Sequence, residues 1–112
     1  MACDRNIKIA VAQFSPVEGD VDSNLNRIEK FVEDAAKSKC KLILFPEICD
    51  IGYNLCEIKK LVGELPNQSS KFISSIAKKY HISIIVGMAE KQDDKIYNIA
   101  VLFNSKGELS AK

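Results

Sequence analysis

Lys41-Leu42-Ile43-Leu44-Phe45-Pro46-Glu47 is apolar between its lysine and its proline. Such a short run, placed after a helical pattern, predicts an interior strand covered on both faces, with Pro46 as its stop. The pattern before it is helical. From Asp22 onward, Leu25, Ile28, Val32 and Ala35 recur at helical spacing, with Phe31 and Ala36 widening the stripe. Asp22 or Ser23 would supply the N-cap oxygen, and Lys37 and Lys39 suit the negative end of the helix dipole. Further back, residues 7–12 (IKIAVA) alternate with period two, a strand with at least one buried face. Strand, helix, strand implies a right-handed parallel crossover.

After Glu47 the pattern loosens. Gly52 and Asn54 suggest a loop, and Leu55, Ile58, Leu61 and Val62 a short helix. Residues 67–80 carry a second clear helical stripe, and 82–88 read as another buried strand. The turn at 92–95 leads to a period-two strand over 96–103, with Tyr97, Ile99, Val101 and Phe103 on one face and Asn98, Ala100 and Leu102 on the other. A turn at 104–107 opens a last strand. The order β-α-β-α-α-β-β-β, without repeat or linker, makes one α/β unit. Two long helices shield only one side of such a sheet, so the other side calls for a further layer, and the chain reads as the first part of a larger domain.

Composition narrows the function. The 112 residues are 46% hydrophobic and 28% charged, which is globular. Sixteen basic against fifteen acidic side chains leave +1, no electrostatic footprint for nucleic acid or an anionic membrane. No apolar run approaches a membrane span, and the charged N-terminus lacks a signal-peptide core, so a cytoplasmic protein with reduced thiols is expected. One histidine, His81, and four cysteines (Cys3, Cys40, Cys49, Cys56) without a C-x-x-C pair make a structural zinc site unlike this chain. A Ser-His-Asp triad would have to use His81, better placed as a helix-to-strand junction.

Ligands of open α/β sheets gather beyond the carboxyl ends of parallel strands. The stretch 13–19 after the first strand lacks the closely spaced glycines of a Rossmann or P-loop site. After the interior strand stands Glu47. Tethered to the rigid centre of the fold, its carboxylate would be raised by burial toward a general base's range; the plainer alternative is a solvated or capping carboxylate. Cys40, Cys49 and Cys56 read as packing thiols, since a thiol near a carboxylate alone is a poor nucleophile.

Taken in order, IKIAVAQ (7–13), Gly19-Asp20-Val21 with Asn24-Leu25, the run ending in Phe45-Pro46-Glu47, Gly52-Tyr53, and Tyr97-Asn98-Ile99-Ala100 before Gly107 resemble the nitrilase superfamily of carbon–nitrogen hydrolases. Phe-Pro-Glu alone recurs by chance; the ordered set is specific. The resemblance implies part of a four-layer α-β-β-α sandwich, with residues 1–112 as the N-terminal part of one hydrolase domain. It also implies a Glu-Lys-Cys site acting on a small amide, carbamoyl compound or nitrile, without metal or organic cofactor, in a homodimer or larger assembly. Glu47 matches the family's general acid/base. Lys112 is nearest the family's lysine, as that residue or as a basic neighbour of it, and the nucleophilic cysteine falls outside these residues. Tyr53 either borders the substrate pocket or is a packed aromatic. Asn98 either supports Glu47 through a hydrogen bond or bonds the sheet backbone. A non-catalytic α/β module acting by association is the alternative.

Overall fold

Strand and helix periods are realised as β1 (Ile9–Val11), α1 (Val21–Lys37), β2 (Leu42–Leu44), α2 (Leu55–Leu61), α3 (Gln68–Tyr80), β3 (Ser83–Gln92), β4 (Lys95–Phe103) and β5 (Leu109–Ala111). The computed structural model describes residues 5–112; Cys3 lies outside them. Helix α1 begins at Val21, so its N-cap is Asp20, two residues before Asp22 and three before Ser23, the expected caps. The Asp20 carboxylate accepts from the Ser23 N–H at 3.2 Å. Helix α3 opens with a capping box in which Asn67 and Ser70 satisfy each other's backbone N–H groups. It closes at His81 in the left-handed conformation, the junction the sequence assigns to that histidine.

The five strands form one sheet in the order β1-β2-β3-β4-β5. β1, β2 and β3 are parallel neighbours, and β3-β4-β5 run as an antiparallel meander. Registers align residues in rows across the sheet. Ala10, Ile43, Ile84 and Phe103 form one row, and their side chains pack into a core with Leu25, Ile28, Val32 and Ala35 of α1 and Ile73, Ile76 and Ala77 of α3. Because successive strand residues alternate in direction, the next row, Val11, Leu44, Ile85 and Leu102, faces away from these helices.

That second face is open. Val11 is 69% exposed and Leu44 40%. β2 is therefore covered on one face, not on both as its apolar composition suggests. In β1 the small side of the strand, Ala10 and Ala12, meets the helices, while Ile7, Ile9 and Val11 stay exposed. The turn after β2 and helix α2 fold over the far end of β3, where Ile48, Ile51, Ile58 and Ala89 make a second small cluster. No helix among the described residues is long and apolar enough to cross a membrane.

Ile28 has no exposed surface and sits where α1 meets sheet and α3. Ile28→Ala is expected to destabilise the fold by about 2–5 kcal/mol in urea unfolding, the usual cost of a truncated core aliphatic. A loss below about 1 kcal/mol would show that the helix layer is not packed as described.

Candidate active site

The chain leaves β2 along β3 before it turns. The Phe45 N–H donates to the Ile85 carbonyl at 2.8 Å, the Gly87 N–H to the Pro46 carbonyl at 3.2 Å, and the Cys49 N–H to the Gly87 carbonyl at 3.2 Å. Residues 47–51 form the turn, and Glu47 projects from it on the open side of the sheet.

Three further anchors hold this turn. Asn24, fully buried in α1, donates through Nδ2 to the Val17 carbonyl at 2.8 Å and the Asp50 carbonyl at 2.9 Å, while its Oδ1 accepts from the Val17 N–H at 2.7 Å. One amide thus ties the loop after β1 to the turn after β2. The Gly19 N–H donates to the Ile51 carbonyl at 2.8 Å, joining the same two loops. Phe14, Phe31 and Phe45 stack with centroids 5.4–6.3 Å apart, the last two edge to face, and the Arg27 guanidinium lies 4.7 Å over Phe14. Aromatic packing therefore sits directly beneath the strand end that carries Glu47.

The Glu47 side chain is exposed, not buried as its position at an interior strand suggests, because among the described residues nothing packs over the open face. It is nevertheless not loose in solvent. Asn98 Nδ2 donates to Glu47 Oε1 at 3.1 Å. Both line a shallow depression of about 290 Å³ whose floor is Leu44, Ile85, Gly87 and Ala100. Carboxylate and amide come together from elements 51 positions apart. Of the two readings of Asn98, the side-chain bond to Glu47 is the one present.

Lys112 and Tyr53 are not brought to this depression. Lys112 Nζ donates to Glu90 Oε1 at 2.8 Å, and that pair lines a larger cavity of about 450 Å³ with Ser70 and Ser74 of α3, on the helix-covered side. Glu90 is almost wholly buried and also accepts from Gln92 Nε2 at 3.1 Å. A charged residue in strand β3 leaves no pattern that separates it from a solvated edge, so its burial was not readable in the sequence. Tyr53 is 64% exposed and is absent from the lining of the Glu47 depression.

The turn holds two further ionisable groups, both buried. Desolvation pushes the Cys49 thiol up to about 12, with the neighbouring Asp50 charge adding to the rise. Burial likewise raises Asp50, and the Ser69 hydroxyl and the backbone N–H groups of Asp50 and Ile51 draw it partly back. Asp50 Oδ1 has no hydrogen-bond partner among the described residues. Cys40 is buried as well, whereas Cys56 is exposed on α2. Among the described residues no group of three His, Cys, Asp or Glu side chains gathers as a metal site.

Two measurements check these environments. At about pH 8 only ~10⁻⁴ of Cys49 is thiolate, so iodoacetamide should label Cys56 and spare Cys49 in the folded protein. Equal labelling of the two would contradict the burial. Asp50 in the fold keeps its proton above the ordinary value of 3.8, where the unfolded chain has released it. Its contribution to stability is therefore present below 3.8 and is lost as the pH climbs toward the raised folded value. Asp50→Asn removes that titration, and its melting midpoint should gain on the wild type as the pH rises from 3.8 toward about 7. A constant difference across this interval would contradict the assignment.

The chain matches the carbon–nitrogen hydrolase family over residues 8–112. It is 30% identical over 105 residues to a nitrilase of Pyrococcus abyssi, covering 90% of this chain and 40% of that protein. It is 32% identical over 117 residues to an omega-amidase of Saccharomyces cerevisiae, covering 96% and 40%. Among solved structures, an amidase from Nesterenkonia sp. superposes with a TM-score of 0.87 at 22% identity, over 94% of this chain and 41% of that one. A structure of an N-terminal amidase superposes at 0.80 with 30% identity, over 94% and 27%. The chain thus spans about 40% of the length of these curated relatives. Its sheet and its helices supply one β and one α layer of the nitrilase-type sandwich. With the family matched across almost every described residue, this α/β chain belongs to the carbon–nitrogen hydrolases of the nitrilase superfamily.

Proposed function

We propose that Glu47 is the proton carrier of an amidase-type hydrolase acting on a small non-peptide amide, carbamoyl compound or nitrile. The observation that carries this reading is the carboxylate at the end of β2, held by Asn98 beside a depression on the open face. Relatives named as nitrilase, omega-amidase and N-terminal amidase favour the class, and a Nesterenkonia amidase variant described in complex with acrylamide favours a small amide.

In this reading the nucleophile is a cysteine of the full-length protein outside these 112 residues. Cys49 does not serve, because a thiol held near 12 carries almost no thiolate at neutral pH. Glu47 takes the thiol proton as sulfur bonds to the amide carbon. It passes the proton to the leaving amine as the C–N bond breaks, which leaves a thioester. It then takes a proton from water, whose oxygen displaces the sulfur, and returns that proton to the thiolate. Asn98 fixes the carboxylate through Oε1, leaving the other oxygen for this traffic. The cation that stabilises the oxyanion is a lysine other than Lys112, whose ammonium is engaged by Glu90. No metal or organic cofactor takes part, and the enzyme works in the cytoplasm as a homodimer or larger assembly.

In the full-length protein, Glu47→Gln should lower kcat by about 10²–10⁴ with little change in KM, the scale of proton-transfer catalysis. Near-normal turnover in that variant rejects the role.

A further inference from the structure

We infer that Gly87 is a positioning residue for Glu47, the glycine whose missing side chain sets how closely the carboxylate-bearing backbone lies on the sheet. This rests on the hydrolase reading for its functional consequence, but its structural content stands apart from it. A Cβ built on Gly87 would stand 2.5 Å from Glu47 Cα, 2.5 Å from the Pro46 carbonyl oxygen and 3.0 Å from the Glu47 nitrogen. All three are backbone atoms, so no rotamer change relieves the overlap. Gly87 does not adopt the left-handed backbone that asks for glycine at Gly19, Gly52 and Gly107. Space alone requires it. At Gly63, by contrast, the nearest atom to an added Cβ is 3.7 Å away.

The contact has a direct line to the carboxylate. Gly87 uses both of its backbone groups on this turn, its N–H on Pro46 and its carbonyl on Cys49, and it lies in register with Ala100, two residues from Asn98 on β4. An added methyl must push the Pro46-Glu47 peptide outward by about 1 Å to reach ordinary contact. Glu47 then leaves the 3.1 Å bond to Asn98. Misplacement on this scale costs a catalytic group about 10²-fold in rate.

The test is Gly87→Ala in the full-length protein, with Gly63→Ala as the control that should change nothing. In a crystal structure of Gly87→Ala, Glu47 Oε1 and Asn98 Nδ2 should no longer be within hydrogen-bond distance while the sheet is retained. Ammonia release from acrylamide should show kcat lower by about 10²-fold and KM within about twofold. In a Glu47→Gln background the added Gly87→Ala should cost less than about twofold, because the group it displaces has already been disabled. An unmoved turn, or losses that multiply in the double variant, would overturn the inference. So would a Gly87→Ala protein that fails to fold, since glycine would then serve the fold rather than the carboxylate. A wild-type protein inactive on amides rejects the hydrolase reading, and the crystallographic comparison still decides the positioning of Glu47 by Gly87.

Discussion

Backbone lies against backbone at Gly87, and this contact sets how closely the carboxylate-bearing turn rests on the sheet. β2 is only three residues long, and its hydrogen bonding to β3 continues past Leu44 through Phe45 and Pro46 before the chain swings over Gly87. That close approach sets the height of the Pro46-Glu47 peptide above β3, while Cys49 in the main core and Ile48 and Ile51 in the cluster over Ala89 anchor the rest of the turn. The loop after β1 depends on the same turn through Asn24 and Gly19. Close packing at one glycine therefore organises the carboxyl ends of two parallel strands, where open α/β sheets place their chemistry.

The sheet has one finished face. Helices α1 and α3 bury the row through Ile43 and Ile84, while Val11 and Leu44 on the other side remain in water. An apolar row of this kind lowers its free energy by meeting another apolar layer. A four-layer sandwich supplies one, and Glu47 with Asn98 stands on the side such a layer would close. Closure would remove water around the carboxylate and strengthen its polar contacts. The exposure of Glu47 and of Val11 thus have one cause.

Element order was legible in the residues because periods of two and 3.6 are strong in α1, α3 and β4, and β3 begins as a near-continuous apolar run. What the pattern missed follows from what a pattern cannot encode. Leu42-Ile43-Leu44 looks doubly buried because composition does not record which layer is present. The alternation in β1 does not reveal that its alanines, not its isoleucines, fit beneath the helices. Asp20, rather than Asp22, caps α1 because the helix start is set by the turn at Gly19, a shift of two residues. Glu47 was legible through its place after an apolar strand, and Asn98 as a polar residue in an apolar one. Gly87 was not, because a glycine in a strand carries no mark of what crosses it. Order along the chain places Lys112 near Glu47, yet just past β5 its ammonium meets Glu90 on the helix-covered side.

One five-residue turn holds three ionisable groups, and their environments set them apart. Cys49 points into the core, where desolvation and the Asp50 charge keep its proton on the sulfur. Asp50 is buried and lines a small cleft with Asn67 and Ser69 at the start of α3, where burial favours its protonated form. Only Glu47 reaches the open face, with a neutral amide as its partner. The amide orients one carboxylate oxygen and leaves the other open toward that face, the geometry that the proposed exchange between thiol, amine and water calls for.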